Sequence, residues 1–156
     1  MKQVDTVIGC DGVVIIPTYN ERENVENIIR AVFALEKIFH ILIIDDGSPD
    51  GTAEIVKRLK DEFPERLHLL ERKGKQGLGT AYITGFKWAV LRGYDYIFEM
   101  DADFSHNPND LLKLWSACAV KGADMAIGSR YITGVNVVNW PMGRVIMSYY
   151  ASKYVR

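Results

Sequence analysis

The sequence predicts an α/β domain with a mostly parallel central sheet covered by helices on both faces. Three observations carry this. Short apolar runs alternate with stretches whose apolar residues recur at helical spacing. The first two runs are apolar throughout rather than alternating, which marks strands buried on both sides. The length, 156 residues, is that of one domain. A chain of that size buries roughly two-thirds of its unfolded surface without a metal or disulfide staple.

The elements follow in order. A first strand is expected over residues 13–16, a β-branched run closed by Pro17. Asn20 and Glu23 resemble a capping box, after which Val25, Ile28, Ile29, Val32 and Phe33 share a helical face. A second buried strand is expected over 41–44. Ser48 and Pro49 then read as N-cap and first helical residue, with Asp50 and Glu54 suiting the helix start and Ile55, Val56 and Leu59 on one face. Residues 67–70 read as a third strand. A loop with Gly74, Gly77 and Gly79 leads into a helix bearing Ala81, Phe86, Ala89 and Val90. Residues 96–100 read as the fourth strand. Asn107 and Pro108 open a helix through Leu111, Leu112, Leu114 and Trp115. Residues 125–127 read as a fifth strand, 131–141 as irregular and 143–156 as a helix.

Composition narrows the function. Hydrophobic residues are 48% and charged residues 25%, values of a globular chain and not of a disordered one. The formal net charge of -1 excludes a broad basic field, so no nucleic-acid partner is expected. Cys10 and Cys118 have no metal-ligand spacing, which points to a reducing, cytoplasmic setting. No apolar run is long enough to span a bilayer, and Asp5 and Asp11 do not suit a signal peptide.

In parallel sheets ligands bind beyond the carboxyl ends of the strands, and that is where the polar motifs stand. After the first strand come Pro17, Thr18, Tyr19, Asn20 and Glu21. Either Tyr19 lies against a flat base with Glu21 accepting from its N–H groups, or Asn20 caps a helix and Tyr19 packs. After the second strand come Asp45, Asp46, Gly47, Ser48, Pro49 and Asp50. A carboxylate there suits a ribose or base, while turn formers and a helix-start aspartate account for the rest. The loop at Gly74, Gly77 and Gly79 is neither a dinucleotide fingerprint nor a Walker A loop. It does precede a helix, where backbone N–H groups can approach an anion. Arg72, Lys73 and Lys75 are either a solvated basic edge or ligand contacts. After the fourth strand come Asp101, Ala102 and Asp103, two carboxylates at i and i+2 that point to one side of an extended segment. Two carboxylates are too few to cage a metal; they suit a metal such as Mg²⁺ brought in with a diphosphate, or form a solvated acidic loop. His106 reads as a local hydrogen-bonding residue, and Cys118, Trp88 and Trp115 as core. Arg130, after the fifth strand, either forks onto a phosphate or pairs with a nearby aspartate.

Together these motifs resemble the family 2 glycosyltransferases, and within them the polyprenol (dolichyl) phosphate mannosyltransferases. The carrying segments begin at Ile16, Asp45, Gly77, Met100, Gly128 and Trp140, and the resemblance runs from about Val14 onward. It implies a Rossmann-like, GT-A type fold and transfer of mannose from GDP-mannose to a polyprenyl phosphate, inverting and metal-dependent. Related glucosyltransferases tend to have Gly-Lys-Gly-Gly-Ala where this chain has Gly77-Leu78-Gly79-Thr80-Ala81, and they usually lack the Ser-His-x-Pro found at Ser105 to Pro108.

Carried over residue by residue, the nucleotide pocket falls on Pro17, Tyr19, Glu21, Ile44 and Asp46, with Gly77 in the glycine loop. The Asp-x-Asp falls on Asp101, Ala102 and Asp103, with Ser105 near the metal, and the diphosphate-facing arginine on Arg130. The family often has paired glycines where this chain has Gly134-Val135. Its catalytic domain also continues further, so residues 1–156 are expected to be the donor-binding part of a single, C-terminally truncated domain that binds donor weakly and turns over poorly. The final stretch from Arg144 has basic and small polar residues on one side and apolar ones on the other. It suits either an interfacial helix at the cytoplasmic membrane face or an ordinary packed helix. The alternative donor is another nucleotide sugar, UDP-glucose or UDP-GlcNAc, and two further readings fit parts of the pattern. A nucleotidyltransferase would want a basic glycine-rich loop after the first strand, which residues 17–21 do not supply. A donor-binding module without turnover is the other.

Overall fold

The computed structural model describes residues 10–129 and 142–155. Four strands and four helices alternate: β1 (Gly12–Thr18), α1 (Val25–Phe33), β2 (His40–Asp45), α2 (Thr52–Glu62), β3 (Leu67–Glu71), α3 (Leu78–Leu91), β4 (Tyr96–Glu99) and α4 (Asp110–Ala119). A final helix, α5, spans Met142–Val155. The sheet is parallel with order β3-β2-β1-β4. This is the predicted architecture.

Every residue of β2 is buried, and all but Pro17 of β1. Their side chains alternate between two cores. Val14, Ile16, Ile41 and Ile43 pack with Val25, Ile28, Ile29 and Val32 of α1, Val56 and Leu59 of α2 and Leu111 of α4. Val13, Ile15, Leu42 and Ile44 face α3, which approaches through Ala81 and Ala89. Gly85 sits between them, and a Cβ there would stand 2.8 Å from two carbons of Ile15. Trp88 and Trp115 are half-buried against the two cores.

Several expectations are corrected. Residues 125–127 form no strand; Met125 and Ile127 are 75% and 76% exposed. Ile127 is the only β-branched residue between Ala123 and Ser129, and the four-residue edge of β4 offers few groups to pair with. Helix starts lie later than the capping signals indicate. α2 begins at Thr52 after Gly51, whose φ of 90° calls for glycine. Ser48 is not its N-cap, because its N–H and hydroxyl both donate to Asp45. Asn20 does not cap α1, which follows Asn24 after a turn built on the Glu21 carbonyl. Asn107 likewise accepts from the Asn109 N–H in the turn before α4. The irregular segment expected over 131–141 lies outside the described residues, and so does Arg156, the last residue of the expected final helix.

Candidate functional site

A cavity of about 290 Å³ opens at the carboxyl ends of β1, β2 and β4. Pro17 and Thr18 of β1, then Tyr19 and Glu21 just beyond, form one wall. Asp46 follows β2, and Gly77, Leu78 and Ala81 come from the start of α3. Asp101, Ala102 and Asp103 follow β4. Eight residues singled out in the sequence thus meet in one space: Pro17, Tyr19, Glu21, Asp46, Gly77, Asp101, Ala102 and Asp103. Ile44 is elsewhere, fully buried in the core beneath α3. Ser105 is exposed and is not among the lining residues. Arg130 lies outside the described residues.

The two adjacent aspartates have separate roles. Asp45 is 1% exposed and fully engaged: Thr18 Oγ1 donates to Oδ1 (2.9 Å), and Ser48 donates its N–H to Oδ2 (2.8 Å) and its hydroxyl to Oδ1 (2.6 Å). It fixes the turn. Asp46 points to the cavity and is held by Arg72, whose Nε and Nη2 reach its two oxygens at 2.6 and 2.7 Å. Arg72 also donates to Thr80 Oγ1 (2.8 Å) and the Gly77 carbonyl (3.2 Å), and the Gln76 N–H reaches Asp46 Oδ2 (3.3 Å). Asp46, Arg72 and the loop into α3 are therefore one unit. The sequence gives no local signal for it, because Asp46 and Arg72 are 26 positions apart and meet only through the β2–β3 pairing. Of the basic trio, Lys73 is exposed, while Lys75 lines the cavity with its ammonium 4.9 Å from the Tyr19 ring centroid. That is a cation–π distance.

Glu21 accepts from Asn24 Nδ2 (2.9 Å), and its own N–H donates to Thr52 Oγ1 (3.1 Å), so the β1 wall is tied to α2. Asp50 takes the Thr52 N–H (3.0 Å) and the Arg22 N–H (3.1 Å). Asp50 is thus a joint of the scaffold.

The Asp101 to Asp103 segment is a turn, not the extended segment expected. The Ser105 N–H donates to Asp103 Oδ1 (2.9 Å), Phe104 takes a φ of 58°, and the Asp101 N–H donates to His106 Nδ1 (3.3 Å). The chain curls back, and both carboxylates still line the cavity. Desolvation pushes the Asp103 carboxyl upward, but the hydrogen bonds from Ser105 and the nearby His106 outweigh it and leave Asp103 below its ordinary value. Asp103 is therefore ionised at neutral pH. Ser105 serves it through the backbone N–H. On the other side the Tyr82 hydroxyl donates to Asp101 Oδ1 (3.3 Å).

Among the described residues no three His, Cys, Asp or Glu side chains converge on one point. The donor set fits a hard divalent cation held by two carboxylates, with its remaining positions filled by water and substrate phosphate, and does not fit an all-protein cage. Also among the described residues, no helix is long and apolar enough to cross a membrane.

Comparison with known proteins gives the chain's relatives. The chain is 50% identical over 143 residues to the polyprenol monophosphomannose synthase of Mycolicibacterium smegmatis, covering 92% of this chain and 54% of that protein. It is 44% identical over 142 residues to the undecaprenyl-phosphate mannosyltransferase of Micrococcus luteus, covering 91% of this chain and 57% of that one. The chain spans about half the length of these curated relatives. Among solved structures, S. aureus TarS 1-349 superposes with a TM-score of 0.66 at 21% identity, over 84% of this chain and 38% of that one, a likeness of fold. The sequence profile of "Glycosyl transferase family 2" matches residues 13–155, and the chain belongs to that family.

Proposed function

We propose that residues 1–156 are the donor-binding part of one glycosyltransferase domain, and that the protein transfers mannose from GDP-mannose to a polyprenyl phosphate with inversion at the sugar carbon. The observation that carries this reading is the 50% identity to a polyprenol monophosphomannose synthase across the whole cavity-bearing region. The gathering of Asp46, Asp101 and Asp103 in one cavity supports it.

In this reading Pro17, Tyr19, Glu21 and Asp46 bind the nucleotide, and Ile44, buried beneath α3, supports the wall from the core. Tyr19 lies against the base, with Lys75 keeping its ring in place. Gly77 lets the start of α3 approach the diphosphate, where helix N–H groups favour an anion. Asp101 and Asp103 hold Mg²⁺ or Mn²⁺, with Ala102 between them and Ser105 beside. When bound, the cation supplies Lewis-acid charge to the departing diphosphate. Arg130 adds a fixed positive charge there. The acceptor phosphate is ionised near neutral pH, so its attack on the sugar carbon needs no strong general base. The protein works at the cytoplasmic face of a membrane, held peripherally where its lipid acceptor resides.

The test of donor and acceptor is a radiolabel transfer assay with the full-length protein. It is offered GDP-mannose, UDP-glucose or UDP-GlcNAc with a polyprenyl phosphate in detergent. Label moving to the lipid from GDP-mannose alone is the expected result. Transfer from a uridine donor, or to a sugar hydroxyl in place of the lipid phosphate, contradicts the reading.

A further inference from the structure

Tyr82 has no part in the reading above, yet its hydroxyl is the side-chain group that reaches the Asp101 carboxylate from α3, donating to Oδ1 at 3.3 Å. The residue is half-buried and its ring stacks on Phe86, with centroids 6.4 Å apart. Tyr82 lies one helical turn beyond Leu78, which lines the cavity, so both occupy the same face of α3. Gly85, whose Cβ position is filled by Ile15, seats this helix close against β1 and limits its freedom to shift. α3 thus brings two things to the cavity, the loop and helix start at Gly77 and a hydroxyl aimed at Asp101. Asp103 has its own support in the Ser105 N–H. Each of the two carboxylates is therefore held by a different element.

We propose that Tyr82 is a positioning residue, whose hydroxyl occupies one oxygen of Asp101 and fixes the rotation of the carboxylate, so that Asp101 and Asp103 present to a divalent cation together. The proposal rests on the donor-site reading. A carboxylate free to rotate must be ordered when the cation binds, whereas one already hydrogen-bonded is ordered beforehand. Loss of such an outer partner commonly weakens metal binding by about tenfold or more.

The experiment measures Mn²⁺ binding by the electron paramagnetic resonance signal of free Mn²⁺, with GDP present, for the unmodified protein, Tyr82→Phe and Asp101→Asn. GDP affinity in EDTA and the melting temperature are read alongside. Tyr82→Phe keeps the ring and removes only the hydroxyl. The expected result is a Mn²⁺ Kd raised about tenfold in Tyr82→Phe, with metal-free GDP affinity and melting temperature unchanged. Wild-type Mn²⁺ affinity in Tyr82→Phe, beside loss of binding in Asp101→Asn, overturns this proposal and leaves the donor-site reading standing. Wild-type affinity in Asp101→Asn overturns both. A fall in metal-free GDP affinity and melting temperature in step with the Mn²⁺ affinity marks a scaffold role and overturns the positioning role.

Discussion

At Asp46 a carboxylate that reads as a ligand-binding group is also one half of a nearly buried ion pair. Its side chain is 9% exposed and that of Arg72 is 6% exposed. Removing one member of such a pair strands the other without its counter-charge, which costs about 3–5 kcal/mol. Arg72→Ala is therefore expected to lower unfolding stability by about that amount in urea titration. Arg72→Lys is expected to recover only part of the loss, because an ammonium cannot span both oxygens of Asp46 and still reach Thr80 and the Gly77 carbonyl. Reading the sequence finds Asp46 but not its partner. A strand-end aspartate in a parallel sheet is a local signal, whereas Arg72 stands in a run with Lys73 and Lys75 that looks like any solvated edge. The same limit applies to Tyr82, a tyrosine on an apolar helix until β4 brings Asp101 to it.

Elements were more legible than their ends. The four described strands fall where apolar runs predict them: β1 and β2 are buried on both faces and form the centre, and β3 and β4 pair at their flanks. Helix starts lie later than the capping signals indicate because Ser48 donates its hydroxyl to Asp45 and Asn107 accepts from the Asn109 N–H in the preceding turns, while Asn20 donates its backbone N–H to Ser48 Oγ. The fifth strand failed because three apolar residues without a paired edge do not make a ladder. α3 depends on close approach, and Gly85 tests this. An alanine gains helix propensity of about 1 kcal/mol, but its Cβ would meet Ile15 at 2.8 Å and Ile44 at 3.0 Å. Overpacking costs about 1–3 kcal/mol. Gly85→Ala is expected to destabilise on balance, seen as a lower denaturation midpoint with an unchanged m-value. A raised midpoint would mean that α3 moves outward at little cost.

For the whole molecule, acid stability follows from the opposite end of the sheet. His40 and His68 stand 5.9 Å apart between ring centroids, packed with Tyr94 and Trp88. Burial, with His40, Arg92 and Lys60 nearby, pushes His68 down to about 4, against a weak opposing effect at Glu65. Its buried Nε2 has no hydrogen-bond partner among the described residues. Burial, joined by Arg66 and opposed by Glu65, also lowers His40. The unfolded chain therefore binds protons at these sites before the folded one does, and stability is full above about pH 6.5. It is expected to fall as pH drops from there toward 4, and His68→Leu is expected to flatten that slope in melting experiments across the range. Asp11, Asp50 and Asp103 are lowered too. Their contributions are lost only below the ordinary carboxylate range, so the two effects occupy separate windows.

In the proposed function, the cavity beyond β1, β2 and β4 holds a nucleotide-diphosphate sugar through a cation carried by Asp101 and Asp103. Calorimetric titration of GDP-mannose into the protein, in Mn²⁺ and then in EDTA, with Asp103→Ala alongside, tests it most directly. The expected result is binding in Mn²⁺ that weakens at least about tenfold in EDTA, and equally in Asp103→Ala, consistent with loss of a metal-ligating group. Binding indifferent to both the metal and the Asp103 carboxylate would contradict it.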